Sequence, residues 1–195
     1  MTRFVMAIDL DRCLGCDACV LACMTENQVP LDGGARLRMR EVVMGTFPKL
    51  AGEFRPEACF HCDDPPCVDA CPTGATYQTL EGVVLVNDDR CAGCKACMTA
   101  CPYGMRYLHP DGYVDKCTYC YHRLKEGRQP ACVETCPTGA RIFGDLDDPT
   151  GPVRQAMTNA RSVDRVEPVG GATPSLLYLN SRVLGSRRAL DKERV

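Results

Sequence analysis

The chain has no tryptophan, and its aromatic residues are limited to 7 Tyr and 5 Phe among 195 residues. So little bulky side-chain material excludes a conventional aromatic-rich core and implies that something else fills part of the interior. Long hydrophobic runs are absent too. No stretch approaches the roughly 18 uninterrupted apolar residues that would cross a bilayer. Val83-Val84-Leu85-Val86 and Leu176-Leu177-Tyr178-Leu179 are only strand-length. The opening Met1–Asp9 offers no basic n-region, long apolar h-region, small-residue cleavage site or twin-arginine pair. The expectation is a soluble or peripheral chain whose membrane contact comes through a partner. An excess of one charge is missing as well: 23 Lys and Arg stand against 25 Asp and Glu, for a net charge of −2. This balance excludes a basic nucleic-acid footprint and a disordered chain. The length suits one domain, or two small ones sharing a core.

What the chain has instead is cysteine, 16 of them, in four groups with none left over. Cys13, Cys16, Cys19 and Cys23 follow the pattern C-x2-C-x2-C-x3-C, and Cys91, Cys94, Cys97 and Cys101 repeat it. Cys59, Cys62, Cys67 and Cys71 stretch the middle gap; Cys117, Cys120, Cys132 and Cys136 stretch it further. Pro72, Pro102 and Pro137 follow the second, third and fourth groups, whereas Met24 follows the first. Disulfides need no such repeated rhythm. Structural zinc normally takes two separated pairs rather than three ligands crowded into seven residues. Sixteen free thiols arranged in quartets would be a strange accident. The pattern is that of [4Fe–4S] ligation.

The spacing has a physical reason. Three close thiolates on a tight loop can wrap three corners of an iron–sulfur cube, while amides of that loop point at the sulfurs and offset their charge. The fourth cysteine leads a short helix away and, in two-cluster ferredoxins, reaches the other cluster of the pair. Small residues between ligands (Gly15, Ala18, Ala92, Gly93, Ala96) leave room for the inorganic core. Because the cubes act as core, metal loss is expected to unfold the chain.

Between the quartets, Thr76–Gln78 and Val83–Val86 flank a turn at Leu80–Gly82, and Arg106–Leu108 and Tyr113–Val114 flank His109–Gly112; both read as hairpins. Leu37–Met44 reads as a strand. Short helices are expected near Cys16–Glu26, Cys67–Cys71, Cys94–Cys101 and Cys132–Cys136, and another around Val153–Ala160. The quartets are the internal repeat. The fold class is α+β: two ferredoxin-like 2[4Fe–4S] units, one inserted in the other. The outer unit comprises residues 1–58 plus 105–146, the inserted unit 59–104, and a cysteine-free C-terminal extension and tail 147–195, with Ser181–Val195 expected to be a mobile tail or else an arm that docks on a partner.

The motifs resemble those of the four-cluster iron–sulfur (beta) subunit of the DMSO reductase, or molybdopterin oxidoreductase, family. Within it the polysulfide and thiosulfate reductase electron-transfer subunits are the most similar. The pieces that carry the resemblance run from Met6–Asp9 to Leu177–Asn180. They include Glu26-Asn27, Val29-Pro30, Phe54–Glu57, Pro65-Pro66-Cys67, Cys71–Ala75, Cys101-Pro102-Tyr103 and Cys136–Gly139. The resemblance implies four clusters: Cys13, Cys16, Cys19 with Cys136; Cys117, Cys120, Cys132 with Cys23; Cys59, Cys62, Cys67 with Cys101; and Cys91, Cys94, Cys97 with Cys71. Some relatives lack a cysteine at the Cys94 position and hold a [3Fe–4S] cluster there; its presence here implies four cubanes.

By the same resemblance the chain is not itself an enzyme. It relays single electrons between a quinol-handling integral-membrane subunit and a catalytic subunit carrying bis-MGD molybdenum or tungsten, in anaerobic sulfur-compound respiration. It would sit peripherally on the cytoplasmic membrane, on the periplasmic face by co-export with a signal-bearing partner. A soluble polyferredoxin serving a hydrogenase or formate dehydrogenase is the competing reading. With clusters of about −2 each, the loaded chain carries a charge near −10. Among other residues, His61 is expected in the surroundings of a cluster or on the surface, His109 solvated, and His122 near a cluster or a partner. Met24, Met39, Met44, Met98 and Met105 are expected to pack around clusters. Arg90 and Lys95 are expected to solvate the surface.

Overall fold

Apolar stretches far apart in the sequence build the largest sheet among the described residues. The computed structural model describes residues 2–166 and 171–183. In chain order its elements are β1 (Phe4–Asp9), α1 (Ala18–Glu26), β2 (Leu37–Thr46), β3 (Lys49–Ala58), α2 (Pro66–Asp69), β4 (Thr76–Gln78), β5 (Val84–Val86) and α3 (Ala96–Thr99). They continue with β6 (Tyr107–Leu108), β7 (Val114–Asp115), α4 (Tyr121–Lys125), α5 (Ala131–Glu134), β8 (Arg141–Asp145), α6 (Pro152–Asn159), β9 (Val163–Asp164) and β10 (Leu177–Leu179). The result is a mixed α and β fold in which loops carry most of the cysteines.

The sheet has the order β8-β1-β10-β9. β1 runs antiparallel to β8, from Phe4 opposite Asp145 to Ile8 opposite Arg141, and parallel to β10, with Ala7 opposite Leu177. A strand buried on both faces has no reason to alternate polarity, which explains the unbroken Phe-Val-Met-Ala-Ile of β1. One face of the sheet (Val5, Ala7, Leu177, Leu179) packs with Leu146 and with Val153 of α6. The other face (Met6, Ile8, Phe143, Tyr178) joins the main core, which also contains Cys19, Cys23, Cys59 and Cys132. The sheet therefore separates an ordinary apolar layer from the cysteine-bearing interior.

The remaining strands form two-stranded hairpins. β2 and β3 pair over ten positions, from Leu37 opposite Ala58 to Thr46 opposite Lys49. The base of this hairpin is buried at Leu37 and Ala58, whereas Phe47 and Leu50 near its tip are exposed. The β4–β5 and β6–β7 hairpins close on the turns that the sequence marks. The helices also fall where the cysteine spacing puts them, one or two residues shorter at most ends. Three features escape the sequence reading: β3 as the partner of β2, helix α4, and the sheet itself. The cysteine-free segment after residue 146 is not an appendage, since β10 lies directly beside β1. Of the expected tail, Ser181 and Arg182 bind Glu53 and Asp11, and Val183 is buried. The rest, 184–195, lies outside the described residues.

Candidate iron–sulfur centres

Each quartet begins as a loop that must curl tightly. In the first and third quartets the curl uses left-handed backbone at equivalent positions: Gly15 and Gly93 at φ 67° and 63°, Asp17 and Lys95 at φ 57° and 63°. Glycine is required at Gly93, where an added Cβ would stand 2.3 Å from the Gly112 carbonyl oxygen. At Gly15 it would meet the Phe54 ring at 2.6 Å. In the second and fourth quartets Pro65-Pro66 and Pro130 start the helices instead, their fixed φ suiting a helix entrance. By either route the third cysteine, Cys19, Cys67, Cys97 or Cys132, falls in the first turn of a short helix and is buried.

The fourth cysteines diverge. Cys71, Cys101 and Cys136 follow the ends of four-residue helices, and Pro-x-Gly then turns the chain through left-handed Gly74, Gly104 and Gly139. With Met24 in place of proline, α1 continues to Glu26 and Cys23 sits inside it, buried. The missing proline thus lengthens the helix.

Backbone and side-chain donors reach the sulfurs. Thr76 N–H donates to Cys71 Sγ at 3.3 Å, Val114 N–H to Cys91 Sγ at 3.4 Å and Tyr119 N–H to Cys117 Sγ at 3.5 Å. Against the cost of burial, the Thr76 N–H and the Thr73 hydroxyl lower the Cys71 thiol to about 7. The corresponding donors, Arg141 N–H and the Thr138 hydroxyl, lower Cys136 in the same way. Elsewhere burial dominates. It pushes Cys19 up to about 11, Cys62 to about 12 and Cys117 to about 12, with neighbouring cysteines adding to the effect. Without metal these buried groups are thiols, so metal binding must release protons.

The structure brings cysteines of different quartets together. A small recess is lined by Cys59, Cys62 and Cys67 of the second quartet and Cys101 of the third, with Val84, Met105 and Arg106. Cys62 senses Cys59, Cys67 and Cys101 electrostatically. Asn27 Nδ2 lies 3.7 Å from Cys23 Sγ and 3.8 Å from Cys120 Sγ, bridging the first and fourth quartets. Arg36 fixes that amide by donating to Asn27 Oδ1 at 2.7 Å, and is itself held by Asp115 at 2.7 Å. Cys23 is raised by burial and then by Cys117, Cys132 and Cys120. Cys13 and Cys19 both sense Cys136. All 16 cysteines are free of disulfides. Among the described residues no three His, Cys, Asp or Glu side chains converge on a point that would hold a single ion. The donor set, all thiol with N–H groups aimed at sulfur, fits iron–sulfur cubes.

Of the other singled-out residues, Met105 and Arg90 stand as expected and the histidines are more constrained. His61 is fully buried, its Nδ1 accepting from Val84 N–H at 3.0 Å and its ring stacked on Tyr119 at 3.7 Å. His109 is stacked on Tyr113 at 4.5 Å rather than simply solvated. His122 is exposed and contacts Glu26 at 2.8 Å. Met105 lines the recess. Arg90 reaches the Thr73 carbonyl from the surface. The sequence reading missed Arg106, Lys116 and Arg141, three cations buried among the cysteines. A signal did exist: Arg106 and Arg141 are each the fifth residue after the last cysteine of a quartet.

Four all-thiol quartets with N–H groups aimed at the sulfurs are what a 4Fe–4S dicluster protein presents. Residues 12–76 and 50–146 each match a family described as "4Fe-4S dicluster domain". The chain is 42% identical to a tetrathionate reductase subunit of Salmonella typhimurium, over 91% of this chain and 72% of that one. It is 35% identical to the arsenate respiratory reductase iron–sulfur subunit ArrB of a Shewanella species, over 92% and 97%. With a sulfite dehydrogenase subunit of Allochromatium vinosum the identity is 39%, over 99% and 88%. The chain belongs to the iron–sulfur electron-transfer subunits of the molybdopterin oxidoreductases, and it carries multiple [4Fe–4S] clusters.

Proposed function

We propose that this chain holds four [4Fe–4S] clusters as a one-electron relay between a quinol-handling membrane subunit and a bis-MGD molybdenum or tungsten catalytic subunit in sulfur-compound respiration. The observation that carries the reading is the recess on which Cys101 joins Cys59, Cys62 and Cys67, because a crossing fourth cysteine is the mark of paired clusters. The electrostatic neighbours of Cys13 and Cys19 support the set Cys13, Cys16, Cys19, Cys136. The Asn27 bridge supports Cys117, Cys120, Cys132 with Cys23. The packing of α2 against α3 and the shared apolar cluster of Cys67, Cys97 and Cys91 support Cys91, Cys94, Cys97 with Cys71.

When bound, the clusters supply the one-electron carriers. The chain's own residues hold them by thiolates, donate N–H groups to the sulfurs and exclude water. The ligand sets make residues 59–104 a ferredoxin-like unit inserted in a second one, 1–58 plus 105–146, with 147–195 as an extension closing the sheet. Cys16 and Cys94 are the two exposed cysteines; they belong to the first and last of the proposed clusters, where electrons would enter and leave. No helix among the described residues is long and apolar enough to cross a membrane; in this reading the anchor is a partner subunit, and a periplasmic position would come by export with it. Relatives named for tetrathionate and sulfite support the sulfur-compound assignment. The polysulfide or thiosulfate choice rests on the motif resemblance.

Anaerobic purification from native membranes, with iron counted and co-purifying chains identified, tests this reading. About 16 irons per chain, with a molybdopterin subunit and a multi-helix membrane subunit, is the expected result. A lone, soluble, iron-replete chain would favour a polyferredoxin. Zinc without iron would sink both.

A further inference from the structure

Three basic side chains are buried in the cysteine-bearing interior: Arg106, Lys116 and Arg141, at 7%, 0% and 4% exposure. Each stands at a different boundary between cysteine groups. Arg106 Nη2 donates to Cys67 Sγ at 2.9 Å, and its Nη1 donates to Thr76 Oγ1 at 3.2 Å. The backbone N–H of that same threonine donates to Cys71 Sγ at 3.3 Å. Lys116 directly precedes Cys117, and its Nζ donates to the Cys117 carbonyl at 2.7 Å and to the Val84 carbonyl. Val84 in turn lines the recess of Cys59, Cys62 and Cys67. Arg141 opens β8 opposite Ile8 of β1, five residues after Cys136, with its side chain buried and electrostatically close to Cys132 and Cys19.

The wider electrostatic neighbours follow the same order. Arg141 acts on Cys132, Cys19 and Cys117; Lys116 on Cys59, Cys117 and Cys67; Arg106 on Cys67, Cys59 and Cys97. A buried cation without a negative partner is costly. Among the described residues none of the three is paired with a carboxylate. Arg141 Nε and Nη1 have no hydrogen-bond partner there at all. The negative charge that these side chains answer is that of the thiolates and what they bind.

We propose that Arg141, Lys116 and Arg106 are spacer charges, one in each gap between neighbouring clusters, that raise the reduction potentials of the clusters on both sides. The inference rests on the ligand sets proposed above. In the order those sets imply, Arg141 separates Cys19 from Cys132, Lys116 separates Cys117 from Cys59, and Arg106 separates Cys67 from Cys71. Four groups of like charge in one small chain repel one another, and adding an electron to one worsens the repulsion. A fixed positive charge between two of them favours the reduced form of both. Arg106 and Arg141 occupy the same place in two repeats, whereas the second quartet has Thr76 there.

The test is an EPR-monitored redox titration of the anaerobically purified, iron-replete protein, with iron counted in every sample. R106Q is expected to lower two of the four midpoints by at least 59 mV, a tenfold change in a one-electron equilibrium. R141Q should lower the other two by a similar amount, and K116M one of each pair. R106K and R141K, which keep the charge, should shift them less than threefold. Iron-replete neutral variants with unmoved midpoints, or with all four moved equally, would overturn the inference while leaving the ligand sets standing. A wild-type protein with fewer than four clusters would instead overturn the ligand sets. Iron lost only from the neutral variants supports the spacer role. Iron lost equally from the charge-keeping ones overturns it, because fit rather than charge would then be what the position requires.

Discussion

The four-stranded sheet and the four cysteine loops lie against each other but are stabilised by different means. In the sheet, Val5, Ala7, Leu177 and Leu179 bury apolar surface against α6, each burial being worth a few kcal/mol for a large side chain. In the loops the helices are only four residues long in three of the four quartets. Helices that short have no stability of their own in water. Left-handed residues at Asp17, Lys95, Tyr119 and Cys120 add backbone strain. What holds such loops has to be the ligated metal, whose binding free energy is then folding free energy. One side of the protein folds around side chains, the other around inorganic sulfur and iron.

The sharpest way to break the comparison is to remove the metal. Anaerobic chelation should abolish the cooperative melt followed by circular dichroism, because the sheet's short strands share the main core with Cys19, Cys23, Cys59 and Cys132. A retained cooperative transition would show that the sheet and α6 stand alone. Next in size, G93A forces a Cβ onto the Gly112 carbonyl at a left-handed position. It should cost about 3 kcal/mol or more and lose iron from the third quartet, read by iron analysis. A stable variant with full iron would mean that the loop can re-curl without glycine.

L177A probes the opposite side. It should lower stability by about 2–5 kcal/mol in thermal or denaturant unfolding, with the iron count of the folded protein unchanged. A parallel loss of iron would erase the distinction between the two layers. The smallest effect belongs to R3A, which removes a half-exposed ion pair to Asp63 of 2.7 Å. The loss should be at most about 1 kcal/mol and should shrink with added salt; a larger loss would mean that the pair clamps the start of the sheet to the second quartet.

The same contrast explains what can be read from the residues alone. Cysteine rhythm is local: three ligands within seven residues dictate a loop and the helix that follows it. For that reason α1, α2, α3 and α5 are legible, as are the hairpin turns at Gly82 and Gly112. The β2 strand is legible from its own residues, but β3 is hidden by Pro56 and by a lack of alternation. The central position of β1 is not legible, because a six-residue, mostly apolar stretch at a chain start does not say which strand it will meet. The role of the cysteine-free segment is hidden for the same reason: β10 pairs with β1 across about 170 residues.

By itself the sequence determined the ligand type, the four-quartet repeat, the short helices and the family, because each depends on residues a few positions apart. The tertiary structure decided the rest. It brought Cys101 to the recess of Cys59, Cys62 and Cys67, tied Asn27 to two quartets, and buried Arg106, Lys116 and Arg141 among sulfurs. Those placements depend on which distant segments meet and on how much water they exclude. A charge near a thiolate has little effect in water and a strong electrostatic influence in a dry interior, and only the folded chain decides which it is.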